Sequence, residues 1–133
     1  MEQVTEEGIV RLVDSFYAKV RRDPLIGPVF DKAIGGEWPA HLEKMYGFWS
    51  SLMLTTGRYK GNPMAVHMAV EGIEPPMFER WLSLFDETVE ALFAEAPASV
   101  FRFKARRIAE SFMLGLFYRP GAVRPGGQAT PQN

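Results

Sequence analysis

Two histidines, His41 and His67, stand 26 residues apart in a chain of 133 that contains no cysteine. Imidazole is therefore the main nitrogen donor this chain offers to a metal. Disulfides, thiolate nucleophiles, thiolate zinc sites and iron–sulfur ligation are all excluded. Around the histidines the chain oversupplies aromatic and sulfur-bearing apolar residues: ten Phe, three Trp, four Tyr and seven Met. Such residues can wall a large apolar cavity, and Tyr and Trp bring a hydrogen-bond donor to its edge. A flat apolar group that carries its own in-plane ligands would need only one protein nitrogen in such a cavity.

Other constellations have ordinary explanations. Arg102, Lys104, Arg106 and Arg107 form a cationic run, but they alternate with Phe101, Phe103 and Ala105 in a chain of formal net charge −1. That balance builds no general field for nucleic acid or anionic lipid, so the run reads as a solvated helix face. Asp86, Glu87 and Glu90 fall on the polar side of their helix and read as solubilising acids; no catalytic acid or base is assigned. Carboxylate-bridged di-iron bundles need Glu-x-x-His motifs, and neither histidine has a glutamate three residues before it. The Gly126 and Gly127 pair lacks the strand and helix of a phosphate loop. A single histidine in an apolar stripe is most often a hydrogen-bonded core residue, and Tyr or Trp there is most often core with a satisfied tip. The two histidines together, in so apolar a setting, raise the alternative of a site.

Helices must position these residues. Between Thr5 and Arg22, Ile9, Leu12, Val13, Phe16, Tyr17 and Val20 recur at the spacing of one helix face, with Thr5 as cap and Pro24 closing the segment. Glu6 and Glu7 in the first turn and Arg21 and Arg22 in the last suit the helix dipole. From Pro24 to Pro39 the prolines and glycines deny a long helix. Leu25, Ile26, Val29, Phe30 and Ile34 nevertheless predict a connection packed on the core. Trp38 to Leu54 predicts a second helix with Trp38, His41, Met45, Phe48, Trp49 and Leu52 in one arc, which puts His41 on the apolar face. After a turn, Asn62 and Pro63 start a short helix with Met64, His67 and Met68 on one side.

Beyond Pro75 and Pro76, Phe78, Trp81, Leu82, Phe85, Val89 and Leu92 trace a further helix face, which Pro97 ends. Ser99 caps a last helix with Phe101, Ala105, Ile108, Phe112 and Leu116 as its apolar positions, running up to Pro120. No stretch alternates with a period of two, so the fold class is all-α. Residues 1–120 read as one domain and residues 121–133, rich in Gly and Pro, as a flexible tail. No apolar run approaches the ~18 residues of a membrane span, and the acidic start is unlike a signal peptide. The expectation is a soluble, cytoplasmic protein without a membrane or nucleic-acid partner.

The stretches SFYAKVRRDPLIGPVFDKAIG, HLEKMYGFWSSLML, GRYKGNPMAVHM and MFERWLSLF, in this order and at these separations, resemble the group III truncated haemoglobins of bacteria. The likeness runs from about Ile9 to Tyr118. It implies a truncated globin-like fold, a two-over-two helical sandwich around haem b (iron protoporphyrin IX), with a short proximal helix. The glycine-pair motifs of groups I and II have no proper counterpart, since Gly35 and Gly36 lie between Ile34 and the second helix.

By this resemblance His67 in GNPMAVHM is the proximal iron ligand. Tyr17 in SFY and Trp81 in ERWLSLF are the distal hydrogen-bond donors to a gaseous ligand. His41 in HLEKM is the distal gate, which can also donate to the ligand or bind the iron. Phe30 in GPVF stacks near the haem edge and Met45 completes the distal wall. The expected apolar haem surround is Phe30, Phe48, Trp49, Met53, Met64, Met68, Phe78 and Phe85, with Arg58 or Tyr59 near a propionate. The implied function is reversible binding of oxygen, nitric oxide or carbon monoxide. The alternatives are a haem redox enzyme, of nitric-oxide dioxygenase or peroxidase type, and a cofactor-free helical interaction module. No fused reductase domain is read in these 133 residues, so a cycle through ferric haem is expected to use an external electron donor.

Overall fold

Residues 1–59 and 74–117 are described by the computed structural model, and five helices lie among them. The first, α1 (Glu6–Arg22), starts where Thr5, in extended conformation, accepts the Gly8 N–H on its Oγ1 at 3.0 Å. It ends at Asp23, which Pro24 pushes into the extended region, with φ −74° and ψ 127°. Its buried face, Ile9, Leu12, Val13, Phe16, Tyr17 and Val20, is the stripe that the spacing predicts.

The Asp23 side chain then organises the turn. Its carboxylate accepts the Leu25 and Ile26 N–H groups, each at 3.0 Å, and the Arg80 Nε–H at 2.6 Å. Burial by itself would raise this carboxyl; the Ile26, Arg80 and Leu25 donors together outweigh it and hold the group below its ordinary value. The stretch from Pro24 to Pro39 packs on the core as expected, burying Ile26 and Phe30, and it also forms a helix, α2 (Gly27–Ile34). Pro28 lies in its first turn, where a missing N–H costs nothing. Leu25, expected to pack, is instead 45% exposed.

The second predicted helix is α3 (Trp38–Leu54), with Trp38, Met45 and Trp49 buried. It stops at Thr55, a non-glycine residue in the left-handed region at φ 53°, followed by Gly57 at φ 71°. Next among the described residues come α4 (Pro75–Leu92) and α5 (Glu95–Phe117). On α4 the buried set is Phe78, Trp81, Leu84, Phe85, Thr88 and Val89; Leu82 and Leu92 pack against the core half-buried, and Leu84 and Thr88 extend the predicted face. The last helix starts before its expected cap at Ser99. The Ala98 N–H bonds the Ala94 carbonyl at 3.0 Å, and Ser99 Oγ donates back to the Ala96 carbonyl at 3.0 Å. Pro97 thus opens α5 instead of separating it from α4, because the first turn of a helix tolerates proline. The short helix expected after Asn62, the boundary at residue 120 and the tail lie outside the described residues.

Helix α1 packs against α2, α3 and α4, and α4 packs against α5. Phe16, Phe85 and Phe101 are the largest fully buried side chains where these pairs meet. Several of the charges read as a solvated face are paired. Across α4 and α5, Arg106 meets Asp86 at 2.5 Å and Arg102 meets Glu90 at 3.2 Å; within α5, Arg102 meets Glu95 at 2.7 Å, and Glu87 meets Lys19 of α1 at 2.8 Å. Exposed pairs of this kind contribute about 0 to 1 kcal/mol each, so apolar burial carries the fold. No described helix is long and apolar enough to cross a membrane.

Candidate functional site

Four helices supply the walls of one narrow cleft. Tyr17 comes from α1, Met45, Phe48 and Trp49 from α3, Trp81 from α4, and Ile108 and Phe112 from α5. Phe16 and Tyr17 are neighbours in sequence, and Phe16 is the pivot of the aromatic packing. Its ring sits edge-on to Tyr17 at 4.9 Å, Trp81 at 5.4 Å and Phe85 at 5.2 Å. Phe85 stacks on Trp81 at 5.8 Å and on Trp49 at 5.1 Å. Offset-stacked and edge-on pairs fix ring orientation as well as burying area, so the Trp81 indole is held in one pose.

Polar groups in this apolar setting are few. Trp81 Nε1 is buried without a hydrogen-bond partner among the described residues. A buried donor left unmade costs about 1–3 kcal/mol, so it marks a place where a guest can supply the acceptor. Tyr17 is 3% exposed, and burial pushes its phenol well above the ordinary tyrosine range. The hydroxyl is therefore protonated at any physiological pH and keeps its hydrogen to donate. His41 meets the Tyr17 ring edge-on at 5.1 Å and the Trp38 ring at 5.7 Å. Among the described residues no three His, Cys, Asp or Glu side chains gather to hold a metal ion. An apolar slot with a protonated phenol and an indole N–H that is unpaired among the described residues suits a small guest that accepts hydrogen bonds.

The structure brings Tyr17, Met45, Phe48, Trp49 and Trp81 together at the cleft, with Phe85 stacked behind two of them and His41 against Tyr17. Phe30 and Phe78 are buried in the core, and Met53 is half-buried against it; none of the three lines the cleft. The Arg58 Nη1 is bonded to the Glu6 carboxylate at 2.6 Å, and the Tyr59 ring lies edge-on to Phe48 at 5.4 Å. Met64, His67 and Met68 lie outside the described residues. Ile108 and Phe112 line the cleft although neither was nominated as a site residue. Their place in the apolar stripe of the last helix was the available signal, and it does not separate cleft from core.

An apolar, aromatic-lined cleft between packed helices is compatible with a globin-type architecture, and comparison with known proteins shows it. No protein-family model matches the chain. The group 3 truncated hemoglobin ctb of Campylobacter jejuni is 35% identical over 123 residues, spanning 90% of this chain and 96% of its own. The crystal structure of a group III truncated hemoglobin from Campylobacter jejuni superposes with a TM-score of 0.83 at 35% identity, covering 88% of this chain and 94% of that one. The chain belongs to the group III truncated haemoglobins, globin-type haem-binding proteins.

Proposed function

We propose that this chain binds haem b and reversibly takes up a diatomic gas, with His67 as the protein ligand to iron and Tyr17 and Trp81 as hydrogen-bond donors to the gas. The single observation that carries the reading is the buried, unpartnered Nε1–H of Trp81 in an apolar cleft shared with the Tyr17 hydroxyl. The cleft residues would hold the haem, whose iron would supply reversible binding of oxygen, nitric oxide or carbon monoxide. Met45, Phe48 and Trp49 would keep water from the cleft, which strengthens every hydrogen bond made inside. Tyr17 holds its proton because burial opposes phenolate, and Trp81 has a donor and no acceptor among the described residues, so both present hydrogen to a guest that gains negative charge. Each such bond to a charged acceptor contributes about 1.5–3 kcal/mol. Oxygen gains more from them than carbon monoxide does. An imidazole binds metal through one nitrogen while the other N–H finds a carbonyl or carboxylate, the role assigned to His67. A cytoplasmic setting and an external electron donor for ferric haem complete the proposal.

The absorption spectrum of the purified chain tests it. A red preparation with an intense Soret band, lost on haem extraction and regained with hemin, is the expected result. A colourless, folded protein that refuses hemin would leave an aromatic interaction module in its place.

A further inference from the structure

Trp38, the first residue of α3, ties its helix to α1 and α2. Its indole Nε1–H donates to Asp31 Oδ1 of α2 at 3.0 Å. The Arg21 guanidinium of α1 lies over its ring, 4.5 Å from the centroid, and Arg21 Nε stands 3.7 Å from the same Asp31 oxygen. The indole also meets the His41 ring at 5.7 Å and 89° and the Tyr17 ring at 5.9 Å and 60°. His41 and Tyr17 in turn meet at 5.1 Å and 89°. Three rings thus form a closed triangle. Trp38 is its corner on the Arg21 and Asp31 side, 6% exposed itself, while those two side chains are each 51% exposed. Trp38 does not line the cleft, and the family resemblance assigned it no role.

We propose that Trp38 is a positioning residue: held by Asp31 and Arg21, it sets the orientation of the His41 ring against Tyr17. A directional hydrogen bond at the indole nitrogen and a cation over the ring face constrain different motions of the same side chain. Edge-on ring contacts then transmit that constraint, because tilting Trp38 opens a gap that His41 must fill or abandon. The Arg21–Asp31 pair is exposed and screened by salt, so the Asp31 hydrogen bond is the principal anchor. The consequence for gas entry rests on the reading of His41 as the gate; the ring geometry does not.

The test uses the full chain as purified, reduced under carbon monoxide, with Trp38→Leu, Trp38→Phe, Asp31→Ala and His41→Ala variants. The chain has two histidines, so proton NMR assigns the His41 ring resonances by their loss in His41→Ala. Trp38→Leu is expected to move the His41 resonances and leave those of His67 in place. Asp31→Ala should move them less, and Trp38→Phe, which keeps an aromatic face, should restore part of the wild-type position. In stopped flow, Trp38→Leu should change the carbon monoxide association rate by about threefold or more, and the change should vanish in a His41→Ala background, as coupled residues require. Unmoved His41 resonances in a Trp38→Leu protein of wild-type melting would overturn the proposal, as would an equal rate change with and without His41. Association unaffected by His41→Ala would remove the gate reading and leave the NMR result to decide the positioning role. If Trp38→Leu does not fold, Asp31→Ala carries both measurements.

Discussion

At the scale of single residues, the unmade hydrogen bond of Trp81 sets the clearest expectation. Tyr17→Phe and Trp81→Phe each keep the apolar body of the side chain, or most of it, and remove the donor. Oxygen dissociation measured by stopped flow should quicken by about tenfold for each bond worth ~1.4 kcal/mol, while carbon monoxide dissociation changes less. The double variant should show less than the product of the two effects, because groups that share one partner are coupled. An oxygen release rate unaltered in both single variants would remove the donor roles. Asp23 sets a second expectation. Its folded-state carboxyl is held below its ordinary value of 3.8, so the stability it contributes is fully present above pH 3.8 and is lost as pH falls through the depressed value. Asp23→Ala leaves the Leu25 and Ile26 N–H groups without their acceptor and should cost about 2 kcal/mol at neutral pH. Thermal melts from pH 7 to 3 should fall less steeply at the acid end in Asp23→Asn than in the wild type.

At the scale of elements, Gly27 at the junction of α1 with α2 meets the shortest contacts of the described glycines. A Cβ at Gly27 would stand 2.8 Å from the Arg21 carbonyl oxygen and 3.0 Å from that of Val20, and backbone atoms do not swing aside as a side-chain tip does. Gly27→Ala should therefore destabilise by about 1–3 kcal/mol and lower the melting temperature by several degrees. A neutral Gly27→Ala would mean that α2 shifts freely, and then neither Phe30 nor Asp31 is held in place by that junction. The sequence made α1, α3 and α4 legible because their apolar residues recur at three and four positions. It misjudged α2 and the start of α5 for one reason: Pro28 and Pro97 look like breaks in a string of letters. Each lies in a first turn, where no N–H is needed.

At the scale of the whole molecule, the cleft and the fold should be linked. A ligand that binds only the folded chain stabilises it by about 4 kcal/mol at 1,000 times its dissociation constant. Hemin added to haem-free protein should therefore raise the melting temperature by several degrees, and the rise should shrink in His67→Ala. An equal rise in both proteins would move the ligand role away from His67.

The sequence by itself determined the all-helical class, the cap at Thr5 and the inward faces of three helices, since these depend on neighbours within a turn or two. Through family resemblance it also nominated Tyr17, Met45, Phe48, Trp49 and Trp81, which the structure gathers at one cleft. Only the tertiary structure decided that Ile108 and Phe112 line the cleft while Phe30 and Phe78 do not, because periodicity marks a residue as inward without saying what lies opposite. The same holds for Trp81 Nε1. Among the described residues it is unpartnered because the packing of α1, α3, α4 and α5 brings no acceptor near it, and no local pattern in the chain contains that information.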